Sequence, residues 1–120
     1  MENKKLFKQL EGLGRERLSS NFFMREFLHS EISQVESIPN IPHHPDIAIR
    51  NGKMLCERVL EPIQEHLGRI SIRSGYRSPE INSLGADNKN QYKCASNTKN
   101  YSKHIWDYPD KKGYYGATAC

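Results

Sequence analysis

The chain has 120 residues, 18 basic and 14 acidic side chains for a formal charge of +4, and only 36% hydrophobic residues. That length leaves room for one domain with a thin core, and six Tyr, four Phe and one Trp argue against disorder. The Lys and Arg are scattered rather than clustered and no apolar run is long enough for a secretory leader or a membrane span. Composition therefore describes a soluble protein made in the cytosol, with a solvated basic surface.

Residues 1–17 are polar, with Leu6, Leu10 and Leu13 spaced for a weak helix or a frayed arm, and the domain proper is expected over residues 18–120. Around Leu18–Phe27, Ser20 or Asn21 can cap a helix that places Phe23 and Phe27 on one face. Pro39, Pro42 and Pro45 make residues 37–45 an extended connector. From Asp46, a good N-cap, to Gly68, a good residue to follow a helix, the pattern is amphipathic. It bends or restarts near Gly52 and Pro62. The recurrence of Leu55, Val59, Ile63 and Leu67 predicts a buried stripe packed on Ile70 and Ile72 of a half-buried strand, 69–73. Cys56 reads as core, and three cysteines in a chain without an export signal do not suggest a disulfide framework.

Ser78, Pro79 and Glu80 open a second, short helix that Gly85 and the polar tract 86–100 interrupt. Segments 101–106 and 114–120 then read as two strands around a turn-prone loop, 107–113. The expected fold class is α+β, a small antiparallel sheet with helices packed on it. The basic Asn/Lys tract has no recognition helix and no interleaved aromatics, so a nucleic-acid partner is not indicated.

Two places carry chemistry. In Ser74-Gly75-Tyr76-Arg77-Ser78-Pro79, glycine lets the backbone turn, and Arg77 projects just before an electropositive helix start. A guanidinium there can grip a carboxylate with two hydrogen bonds. Among five histidines, His43 and His44 are neighbours in an extended segment and point apart. His104, in Ser102-Lys103-His104, stands at the start of an aromatic stretch after a long loop.

Taken in order, Leu18-Ser19, Asn21-Phe22, Glu26-Phe27, Pro62 within a long helix, the Ser-Gly-Tyr-Arg-Ser turn and then Ser-Lys-His resemble the zinc D-Ala-D-Ala carboxypeptidases and their hedgehog-like relatives, over roughly residues 18–120. The resemblance is nearest to compact phage and bacterial cell-wall peptidases. It implies an antiparallel α+β fold and a zinc cofactor. Peptidoglycan stem peptides or D-Ala-terminated peptides would be the partners, the cell wall the site of action, and no membrane would be involved. By that likeness Arg77 contacts the substrate carboxylate or the oxyanion, Tyr76 and Ser102 line the substrate site with it, and His104 is the first metal ligand.

The family follows its histidine with Gly-x-Ala-x-Asp, whose Asp is the second ligand. Here Gly116-Ala117-Thr118-Ala119-Cys120 stands in its place after a longer loop. Cys120 can bind zinc as a thiolate, or Asp107 or Asp110 can substitute for it. The family's third ligand and acidic base have no counterpart, and the last residues read as a strand cut short. Two functions follow: a zinc peptidase-like domain, inactive at this length, or a non-catalytic peptide- or partner-binding module on the same scaffold.

Overall fold

The computed structural model describes residues 2–87, 92 and 94–120. Among these residues seven α-helices follow one another: α1 (Glu2–Gly14), α2 (Arg25–Leu28), α3 (Glu31–Glu36), α4 (Pro45–Leu55), α5 (Glu61–Leu67), α6 (Pro79–Ala86) and α7 (Asn97–Asn100). A π-helical turn, Cys56–Leu60, joins α4 to α5 into one rod. No helix is long and apolar enough to cross a membrane among the described residues.

The expected antiparallel sheet is not there among the described residues. Helix accounts for 49% of the chain and strand for 4%, the latter only as isolated bridges between Arg17 and Phe23 and between Tyr101 and Ile105. The amides that a ladder would need are used locally. Ser102 takes a left-handed φ of 65°, and its N–H donates to the carbonyls of Ile105 and Tyr108. The amides of Lys103 and Ile105 both turn back to the Asn100 carbonyl. Segment 101–106 is therefore a coiled turn rather than a strand. Segment 69–73 forms no strand: its Ile70 N–H goes to the Gln64 side chain, the chain bends at Arg73, and the last residue meets it there, with Cys120 N donating to Ser74 O at 2.7 Å and Cys120 O accepting from Arg73 N at 2.7 Å and Ser74 N at 3.3 Å.

The long helix also turns a different face inward. Its buried line runs Ala48, Gly52, Cys56 and Leu60, whereas Val59, Ile63 and Leu67 are 44%, 38% and 80% exposed and α5 has no buried residue. Both lines recur every four residues, so periodicity alone does not choose between them. Side-chain volume does. A Cβ on Gly52 would come within 2.8 Å of Trp106 Cζ3, so the small residues of the first line are what let the indole reach the helix. Ile70, Ile72 and Leu55 pack on that central cluster and leave α5 uncovered. The π turn has its own cause. Pro62 cannot donate to the carbonyl of Arg58 and its ring crowds it, so the helix widens and the Glu61 N–H reaches Cys56 O instead.

The core is Leu18, Phe22, Met24, Phe27, Leu28, Tyr76 and Trp106 on that small-residue line. Trp106 lies 5.4 Å from Phe27 and 5.9 Å from Tyr76, ring centre to ring centre, and its indole N–H donates to Thr118 O. Ser20 and Asn21 do not cap α2, which starts after Met24 without a side-chain cap. Asn21 instead joins Ser19 in gripping Glu61: Ser19 Oγ, Asn21 N and Asn21 Nδ2 all donate to its carboxylate at 2.7–2.8 Å. The Asn21 and Ser19 side chains hold Glu61 below the usual carboxylate range. Burial beneath this clasp pushes the Cys56 thiol up to about 12, which makes it an inert core residue. The helix at Ser78 forms as its sequence indicates, with Ser78 Oγ accepting from Ile81 N and Pro79 in the first turn. The long helix has His44, not Asp46, at its N-cap and opens at Pro45, two residues earlier than a cap at Asp46 implies.

Candidate functional site

Segment 74–78 is held from three sides. Gly75 lies against Phe27, where a Cβ would fall 2.8 Å from the Phe27 ring and side-chain root, so glycine is required here by close approach. Tyr76 is fully buried and its hydroxyl donates to Asp107 Oδ1 at 3.0 Å. Below the turn, Asn40 has no exposed surface. Its Nδ2 donates to Leu28 O at 3.1 Å and Tyr76 O at 2.7 Å, and its Oδ1 accepts from Ser78 N at 2.7 Å. Arg77 N donates to His104 O at 2.7 Å, so the two residues that the sequence singled out are neighbours.

The Arg77 side chain is half-buried beside a cavity of about 450 Å³ shared with Ser30, Arg73, Ser74, Tyr92 and Cys94. Its Nη1 donates to Cys94 Sγ at 2.8 Å, while its buried Nε has no hydrogen-bond partner among the described residues. No carboxylate of the described residues pairs with it. A guanidinium that has a thiol for a partner and an unsatisfied N–H is short of acceptors, since sulfur is a weak one.

His104 is half-buried, and its Nδ1 lies 2.7 Å from Gly75 O. A carbonyl can only accept, so Nδ1 carries the proton and Nε2 keeps its lone pair. That orientation by a backbone carbonyl is the one a metal-binding imidazole needs. Burial lowers the pKa of His104 and nearby Arg77 lowers it further, against the opposing Gly75 hydrogen bond. Because the folded-state value lies below the ordinary 6.5, the unfolded chain binds the proton more tightly. The stability involved is present above 6.5 and is lost as pH falls from there to the depressed value. The melting temperature should decline across that window, and His104→Asn, whose amide can still donate to Gly75, should flatten the decline. An unaltered pH slope in His104→Asn would contradict the assignment.

The remaining expected metal donors are spent or stand alone. Asp107 is buried, with Oδ1 on Tyr76 and Oδ2 accepting from His44 N at 2.9 Å. Asp110 ties its own turn, Oδ1 accepting from Lys112 N and Tyr114 N. Cys120 meets Arg73 and Ser74 through its backbone and its side chain is exposed. Ser102 contributes the left-handed turn, and Tyr76 is locked in the core. No three His, Cys, Asp or Glu side chains among the described residues form a group that could hold a metal ion. This donor set does not fit a catalytic zinc, which takes three protein ligands.

Asn40, Cys94 and the pair His43–Glu80 escaped the sequence reading. Asn40 sits in Pro39-Asn40-Ile41-Pro42, where an amide between apolar neighbours in a connector is the only cue to a buried role. His43 and His44 do not part as an extended segment suggested, since both rings meet Tyr108, at 5.7 Å and 5.4 Å between ring centres, and His43 also bridges Tyr108 and Glu80 with its two ring nitrogens. Comparison with family models, with curated proteins and with solved structures finds no match to this chain.

Proposed function

We propose that this domain is a non-catalytic module that binds the carboxylate end of a peptide, with Arg77 as the anion contact. The observation that carries the proposal is the under-used guanidinium: a buried Nε without an acceptor and an Nη1 resting on a thiol, at the wall of an open cavity. A carboxylate entering beside Cys94 would take Nη1 together with the adjacent Nη2, exchanging a weak sulfur contact for charge-assisted hydrogen bonds. Arg73 and Glu31 also line the cavity and offset each other's charge, which leaves the Arg77 guanidinium to set the local potential. The resemblance in the Ser-Gly-Tyr-Arg-Ser turn suggests the class of peptide, a D-Ala-terminated or peptidoglycan stem peptide. Zinc-activated hydrolysis is the weaker reading, because only His104 presents a free and oriented donor.

Calorimetric titration with diacetyl-Lys-D-Ala-D-Ala is the test. Metal-free protein should bind the free acid and not its C-terminal amide. Arg77→Lys should weaken binding about tenfold or more, because a charged hydrogen bond is worth about 1.5–3 kcal/mol and lysine cannot supply the planar pair. Equal affinity for acid and amide, or unchanged affinity in Arg77→Lys, would refute the site. Zinc-dependent cleavage of the peptide would overturn the non-catalytic reading and restore a peptidase.

A further inference from the structure

On the other side of the 37–45 connector, a groove of about 880 Å³ runs between the end of α1, the connector and the start of α4. Its walls are the partly buried side chains of Leu13, Ile38, Ile41 and Ile49. Several of the connector's backbone donors are missing or spent. Pro39, Pro42 and Pro45 lack an N–H, and the amides of Ile38 and His44 are spent on Ser33 O and Asp107. Carboxylates at Glu16, Asp46 and Glu80 rim the groove, and no Lys or Arg lines it, although the chain as a whole carries +4. Glu80 is engaged by His43 Nε2, while Glu16 and Asp46 have no ion-pair partner among the described residues.

We propose that this groove docks a short peptide segment of another protein that carries apolar side chains beside Lys or Arg. Apolar walls remove the aliphatic side chains from water, and the acceptor-rich, acidic rim receives the ammonium or guanidinium groups. The acidic rim argues for a basic occupant. Of the chain's own exposed apolar residues, Val59, Ile63 and Leu67 share their helix with Glu57 and Glu65, whereas Tyr114 and Tyr115 follow Lys111 and Lys112, so the test includes a second copy as a distinct outcome. The groove lies apart from Arg77 and takes the opposite charge, so the proposal stands without the carboxylate site.

The test uses capped synthetic pentapeptides on the intact chain: Leu-Lys-Leu-Leu-Lys, its Glu-for-Lys counterpart and its Ser-for-Leu counterpart. Only the first should bind by calorimetry, and added salt should weaken it. The Glu16→Gln, Asp46→Asn double variant changes exposed side chains only. It should lose about tenfold or more in affinity, a loss of about 1.4 kcal/mol or more, at an unchanged melting temperature. Equal binding of the Glu peptide, no binding of the Lys peptide, or full affinity in the double variant would overturn the proposal. So would a dimer in sedimentation that the double variant disperses, since the occupant would then be a second copy.

Discussion

Trp106→Ala should lower the unfolding free energy by about 3–5 kcal/mol, the range for removing a large buried aromatic side chain. Trp106 has no exposed surface and stands where the small-residue line of α4, the α2 aromatic Phe27 and Tyr76 meet. Its indole N–H also anchors the last segment through Thr118 O, and its carbonyl accepts from the buried Asn51 Nδ2 at 2.7 Å. A domain of this size has about 5–15 kcal/mol in total, so the variant should lose much of its urea midpoint. Circular dichroism is the readout, because the variant removes the only tryptophan. The matching control is Ile63→Ala on the exposed line, expected within about 0.5 kcal/mol of the parent. If Ile63→Ala costs as much as Trp106→Ala, the inward face of the long helix is the one its Leu55-to-Leu67 stripe suggested.

That pair of variants also marks how far the sequence could be read. Local signals survived folding: Ser78-Pro79 starts a helix, Gly68 ends one in a left-handed conformation (φ 90°), the prolines hold 38–44 out of helix, and Pro62 breaks the regular ladder. These depend on one residue's own φ or N–H and need no partner. What was lost depends on partners far along the chain. Gly52 looked like a weak point in a helix, but it is the site of closest contact with Trp106. The alternation in 69–73 resembled a strand, but strand identity requires a neighbour with free amides, and segment 101–106 has spent its own on Asn100 and on a turn at Ser102.

The candidate site was legible to the same degree. Arg77 and His104, singled out separately in the sequence, are joined by one backbone hydrogen bond. The carboxylates offered as substitute ligands looked free in the sequence only because their hydrogen bonds are invisible there. Asp107 is committed to Tyr76 and His44, and Asp110 to its own turn. A donor's availability is a property of the fold, whereas its type is a property of the sequence.

Asn40 presents the same asymmetry in reverse, and Asn40→Ala should cost about 2–4 kcal/mol, since each buried polar group stripped of its partner costs about 1–3 kcal/mol. The change orphans Ser78 N and removes a donor from Leu28 O and Tyr76 O, all beneath the Arg77 turn. Leu28 O and Tyr76 O each retain a second lone pair, which holds the total below the sum of three full penalties. Asn40→Asp should be worse than alanine above the carboxylate pKa. It preserves the acceptor for Ser78 N but sets a buried negative charge against two carbonyl oxygens. Acidification should then rescue Asn40→Asp, because the protonated acid can donate to one of those carbonyls, and should not rescue Asn40→Ala. Hydrogen exchange supplies the second readout. The Ser78 amide should exchange much faster in Asn40→Ala, and the affinity of Arg77 for diacetyl-Lys-D-Ala-D-Ala should fall as its turn loosens. A stability loss below about 1 kcal/mol with Ser78 still protected would mean that Phe27 against Gly75 and the Ser78 cap hold the turn without Asn40.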